Sequence, residues 1–171
     1  MREALRSPVT VLNSLKRNSE NENYKYERLY RNLYNPEFYL LAYNNIYAKP
    51  GNMTKGTSGI TIDGMNMERI HEIISSIKNE SYHPAPAKRQ YINKKNGNLR
   101  PLGIPSIDDK LVQEMIRMIL EGIWEGVFLD CSHGFRPQRS CHTALNQIQT
   151  IFTGVKWFVE GDIRNHICFG I

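Results

Sequence analysis

The chain has 171 residues, 22 Lys+Arg against 17 Asp+Glu, a formal charge of +5 and a hydrophobic fraction of 40%. That is enough chain for one domain or two small ones with a real core, which excludes global disorder. No apolar run approaches the ~18–20 residues of a bilayer span, the start MREALRSPVTVLNSLKRN lacks the apolar segment of a secretory signal, and three cysteines without CxxC spacing suit a reducing, cytoplasmic setting.

In chain order, residues 1–23 read as a basic, flexible or weakly helical arm carrying Arg2, Arg6, Lys16 and Arg17. Residues 24–48 place apolar side chains at helical spacing, and Asn35-Pro36 splits them into two helices, with Asn35 as N-cap and Pro36 at the first helical position. Seven tyrosines between positions 24 and 47 read as helix packing in preference to a base-stacking stripe. Residues 49–64 form a Gly-rich loop whose GNMTKGTSG string lacks P-loop spacing. Met67, Ile70, Ile73, Ile74 and Ile77 mark an amphipathic helix over about 66–79.

Asn96-Gly97 then predicts a hairpin between residues 87–95 and 98–104, with Pro101 and Pro105 keeping its second arm short or at an edge. Ser106 or Asp108 caps a long helix to about residue 128, whose acids read as a solvated face. Ser140 caps another helix that stops at Gly154, and VKWFVEGDI (155–163), apolar on both sides, predicts a central strand.

Charge is unevenly placed. Residues 82–101 hold Lys88, Arg89, Lys94, Lys95 and Arg100 with no acid, and residues 131–158 hold Arg136, Arg139 and Lys156, again with none. Uncompensated cations interleaved with Tyr82, Tyr91 and Phe135 suit a polyanion, though solvated loops can look the same. Lys94 and Arg100, on opposite arms of the hairpin, could grip a triphosphate or merely be solvated. Asp162, at the end of the predicted strand, could face Mg²⁺ or cap a turn. The Cys131, His133, Cys141, His142 cluster lacks zinc-ligand spacing.

Three strings, in order and at family spacing, go further: YHPAPAKRQYINKKNGNLRPLGIPSIDDKLVQ, FLDCSHGFRPQRSCHTAL and WFVEGDI. Together they resemble the first three sequence blocks of a group II intron reverse transcriptase, or maturase, and residues 26–64 resemble that family's N-terminal extension. The resemblance implies an α+β fold: the fingers and partial palm of a right-hand polymerase, with N-terminal helices, a basic β-hairpin and the first palm strand. It divides the chain into an arm (1–23), extension helices and loop (24–81), fingers (82–154) and the start of a palm (155–171, divergent after 164).

By the same resemblance, Lys94 and Arg100 contact the triphosphate of the incoming dNTP, and Arg136 and Arg139 support the template and nucleotide pocket. Asp162 and the backbone carbonyl of Ile163 bind the two Mg²⁺ ions, with Asp162 the first catalytic aspartate. The arm (Arg2, Arg6, Lys16, Arg17) and Lys88 and Arg89 hold RNA. The implied partners are intron RNA, an RNA template with DNA primer, and dNTP; a dimer through exposed palm or fingers surface is a further expectation, and no membrane is implied.

The chain also departs from the family. After GDI the family runs Lys/Arg-Gly-aromatic-Phe-Asp, whereas here Arg164 fits and NHICFGI does not, and no YADD-like block occurs. A frameshift, a degenerate copy or a truncation would each produce this. The expectation is therefore a chain without polymerase activity of its own; the alternatives are a non-catalytic RNA-binding splicing fragment or a degenerate remnant.

Overall fold

A computed structural model describes residues 6–93, 95 and 97–161. Its order is α1 (Pro8–Asn18), a 3-10 helix (Leu29–Tyr34), α2 (Pro36–Tyr47), a 3-10 turn (Ile62–Gly64), α3 (Met67–Lys78), β1 (Lys88–Asn93), β2 (Leu99–Ile104), α4 (Ile107–Trp124) and α5 (Cys141–Ile151). Helices dominate, and one two-stranded antiparallel sheet accompanies them, an arrangement compatible with an α+β fingers and palm fragment.

The core lies where α2, α3 and α4 meet. Phe38, Tyr39 and Ala42 of α2, Ile70 of α3, and Leu111 and Met115 of α4 are almost wholly buried there. Helix α4 is the spine, because its apolar residues recur every three or four positions and line one face. A second apolar row on α4, Ile116, Leu120 and Trp124, stays exposed.

Local signals set the helix starts. Asn35 Oδ1 accepts the Glu37 N–H at 3.0 Å, with Pro36 next in the chain, while Asn35 Nδ2 donates to the Arg6 carbonyl at 2.9 Å. Asn66 caps α3, Ser106 caps α4, and Ser140 caps α5 through a reciprocal capping box with Thr143. At Gly56 a Cβ would come within 2.9 Å of the Ser106 Cα and collide with the Pro105 carbonyl. Only glycine lets the 49–64 loop lie so close to the start of α4.

Within the 1–23 arm the helical alternative holds for residues 8–18: Ser7 caps a helix whose Leu15 is buried against α4 beside Gly122. Three other expectations change. Residues 24–34 do not form an α-helix; Arg28 has a left-handed φ of 56° and a 3-10 helix follows. Of the tyrosines, Tyr39 is in the core, Tyr26, Tyr34 and Tyr43 pack at its edge, and Tyr24, Tyr30 and Tyr47 are exposed.

The acids of α4 are not a solvated face either. Asp109 and Glu114 are buried and fully partnered. Finally, residues 155–161 form no strand, and Trp157, Phe158 and Val159 are exposed. A strand apolar on both faces needs sheet neighbours and a layer above and below, and no described residue pairs with this segment.

Candidate nucleic-acid interface

The hairpin carries a cluster of uncompensated charge. Lys88 pairs with Ile104, Arg89 with Gly103, Tyr91 with Pro101, Ile92 with Arg100 and Asn93 with Leu99. Because directly opposed residues share a face, Lys88 and Arg100 lie on one face with Gln90 and Ile92, and Arg89 lies on the other with Tyr91. Lys88 and Arg100 are four rungs apart, roughly 13 Å at ~3.3 Å per residue.

Among the described residues the pairing runs as far as Asn93–Leu99, and Gly97, in the predicted turn, takes a positive φ of 81°. Every residue of β1 is exposed, so the hairpin stands away from the core. Among the described residues no acid pairs with Lys88, Arg89, Lys95 or Arg100. Lys94 lies outside the described residues.

A polar knot anchors the hairpin's base. Asp109 accepts the Tyr82 hydroxyl at 2.5 Å, the Ser106 hydroxyl at 2.6 Å and the Ala85 N–H at 3.1 Å. Burial, and then this hydrogen bond, push the Tyr82 phenol far above its usual range. Beside it Arg69 grips Asp108 with both ends of its fork, at 2.6 and 2.7 Å, and ties α3 to α4. Ile104, buried at the end of β2, completes the anchor.

A second ionic hub sits halfway along α4. Glu114 receives Arg117 at 2.7 and 2.9 Å and Asn45 at 3.0 Å, with Lys49 3.6 Å away. Burial raises this carboxyl, but the cations and the amide outweigh it and hold it below the ordinary carboxylate range. Neither hub shows in a pattern of charge alone, since buried and solvated acids look alike in sequence.

Arg136 and Arg139 occupy the loop between α4 and α5. The Arg136 guanidinium is buried beneath that loop: Nε reaches the Glu125 carboxylate at 3.1 Å, Nη1 the Leu129 and Ser132 carbonyls at 2.9 Å each, and Nη2 Glu125 Oε1 at 2.9 Å. It also lies 5.2 Å from the Phe128 ring centroid. Its donors are committed within the chain, so it supports the loop from inside. Arg139 is partly exposed, donating to the Asp130 carbonyl at 3.1 Å and lying 3.5 Å from that side chain.

Lys16 and Arg17 fall in the last turn of α1, where cations also complement the helix dipole, and both are exposed, as is Arg6. The interface therefore brings Lys88, Arg89 and Arg100 together on one hairpin, while the α1 cations sit on a different element. Asp162, Ile163 and Arg2 lie outside the described residues. Among the described residues no three Asp, Glu, His or Cys side chains gather as a metal site, so the Mg²⁺ expectation rests on Asp162 alone. His133 is held by Thr143 at 2.9 Å and Gln147 at 2.5 Å, an attachment to α5 that the i, i+4 spacing of those two residues could have signalled. No described helix is long and apolar enough to cross a membrane.

Comparison with known proteins places these features. The reverse transcriptase (RNA-dependent DNA polymerase) family matches residues 92–166, a segment that includes Arg100, Arg136, Arg139 and Asp162. The group II intron-encoded protein LtrA of Lactococcus lactis subsp. cremoris is 50% identical over 167 residues, which cover 96% of this chain and 28% of that protein. A 91 kDa protein in the cob intron of Schizosaccharomyces pombe is 46% identical over 165 residues, 93% of this chain and 20% of that protein. Nuclear intron maturase 1 of Arabidopsis thaliana is 44% identical over 59 residues, 34% of this chain and 8% of that protein. The chain thus spans less than a third of the length of each of these relatives. On this evidence the chain belongs to the group II intron reverse transcriptase/maturase family, as a stretch much shorter than the relatives it matches.

Proposed function

We propose that this chain is the nucleic-acid- and nucleotide-gripping fingers portion, with the start of a palm, of an RNA-directed DNA polymerase of the group II intron type. It binds intron RNA, an RNA template with its DNA primer, and dNTP. The observation that carries the reading is the exposed hairpin, whose Lys88, Arg89 and Arg100 have no acidic partner among the described residues and sit on both faces of a rigidly anchored ribbon. Cations left unpaired in this way release counterions when phosphate binds, and that release drives affinity. Arg100 offers the bidentate fork suited to a triphosphate, and Lys94 is its partner by family position.

In this reading Arg136 shapes the pocket wall indirectly, by holding the α4–α5 loop. Arg139 lines the same wall, and Arg2, Arg6, Lys16 and Arg17 extend the RNA surface. Asp162 and the Ile163 carbonyl are assigned to Mg²⁺ through the family alone. A two-ion site needs further acids, and these 171 residues hold no YADD-like block. The chain by itself therefore binds without synthesising DNA. Exposed apolar side chains on α5 and at residues 155–159 are the surface through which two copies would pair.

Two measurements test this. Structured intron RNA should bind more tightly than random RNA of equal length, and equal binding contradicts intron recognition. Primer extension on an RNA template should give no product; product that disappears in Asp162→Ala refutes the claim of incompetence.

A further inference from the structure

The loop between α4 and α5 displays one aromatic side chain against the usual preference of such residues. Phe135 is more exposed than any other large apolar side chain described, and its backbone takes a left-handed φ of 56°. A bulky non-glycine residue adopts that conformation only where its surroundings enforce it. Here the next residue does so, because Arg136 turns inward and spends its donors on Glu125, Leu129 and Ser132. The chain then reverses in a turn closed by the Arg139 N–H on the Arg136 carbonyl at 3.2 Å, with Pro137 at its second position and Gln138 at φ 58°. The outcome is a buried guanidinium with a phenyl ring held out in water beside it.

The neighbourhood favours a polyanion. Residues 131–158 contain no acid, and Arg139, four positions after Phe135 at the far end of the turn, donates to the Asp130 carbonyl at 3.1 Å and lies 3.5 Å from that exposed carboxylate, a pairing that is weak in water. An exposed aromatic with a nearby guanidinium is the arrangement by which single-stranded nucleic acid is held: the ring stacks on a base whatever its sequence, and the cation meets the phosphate.

We infer that Phe135 is a stacking platform for an unpaired base of single-stranded RNA, displayed by the Arg136 anchor. This rests on the reading of the chain as an RNA-binding fingers fragment, and adds a contact that the charged hairpin does not supply.

The test is fluorescence anisotropy with a labelled single-stranded RNA of about a dozen nucleotides and a duplex of the same length. The full chain is compared with Phe135→Ala, Phe135→Leu and Phe135→Trp. Because the side chain touches no core, all four should fold alike by circular dichroism. Phe135→Ala should weaken single-strand binding roughly 5- to 150-fold, the range for one stacked base. Phe135→Leu should be weakened similarly although apolar, Phe135→Trp should bind like the parent, and duplex binding should not change. If the parent binds no RNA, the fingers reading itself fails. If the parent binds and Phe135→Ala or Phe135→Leu binds as well, only the stacking inference falls. A change in self-association by size exclusion, with RNA affinity intact, also overturns it, because Phe135 would then be a protein contact.

Discussion

Arg136→Lys keeps the charge of Arg136 but not its fork. In the parent, one guanidinium serves the Glu125 carboxylate and the carbonyls of Leu129 and Ser132, all at 2.9 Å at closest, with the Glu125 carbonyl at 3.3 Å. An ammonium that follows Glu125 cannot also reach both loop carbonyls. Each charge-assisted bond is worth ~1.5–3 kcal/mol. The Leu129 carbonyl belongs to an exposed residue that water can serve, so its loss costs about 1 kcal/mol, and the half-buried Ser132 carbonyl costs about 1.5 kcal/mol. Together these favour opening of the loop by about 2–3 kcal/mol, or roughly 30- to 150-fold. None of α5 lies in the core, so the effect should be local. Amide exchange is the assay. The Ser132 and Arg139 amides, which donate within the loop at 2.9 and 3.2 Å, should exchange faster by that factor, while Ala42 and Met115 in the core keep the parent rate. Unchanged exchange at Ser132 and Arg139, or equal acceleration in the core, would refute the anchoring role.

Two further outcomes follow from the buried acids. Asp109→Ala leaves the Tyr82 and Ser106 hydroxyls without their acceptor and frees the Ala85 N–H to water, a cost of about 3 kcal/mol and a fall in Tm of about 6–12 °C by thermal melting; an unchanged Tm contradicts it. Glu114 has a folded pKa below its unfolded value, so its stabilisation is complete above pH ~4.5 and is lost as pH falls through the folded pKa. Denaturant midpoints should therefore show the parent's advantage over Glu114→Gln shrinking below pH ~4.5, and an advantage constant down to acid pH contradicts the pairing.

Much of the fold was legible because its signals are local. Caps at Asn35, Ser106 and Ser140 and the periodicity of α3 and α4 set those helices within a few residues of their observed ends. What escaped depends on neighbours distant in sequence. Whether Asp109 is solvated depends on Tyr82 and Ala85, more than twenty residues away, and whether Arg136 faces nucleic acid or the loop depends on Glu125. The 155–163 segment has strand composition, but composition cannot supply the strands a central position needs; its described part, 155–161, pairs with none. The hairpin's cations were legible for the opposite reason: charge left unpaired in sequence also has no described partner in space.

If the hairpin binds RNA through its uncompensated cations, as proposed, its affinity must fall with salt in proportion to the phosphates those cations meet. Affinity for single-stranded RNA should be measured across salt concentrations for the parent and for Lys88→Ala, Arg89→Ala and Arg100→Ala combined. At ~0.7 per phosphate contact on a single strand, losing three contacts should flatten the slope of log K against log salt by about 2 and weaken binding at low salt. A combined variant with the parent's slope and affinity would contradict the claim.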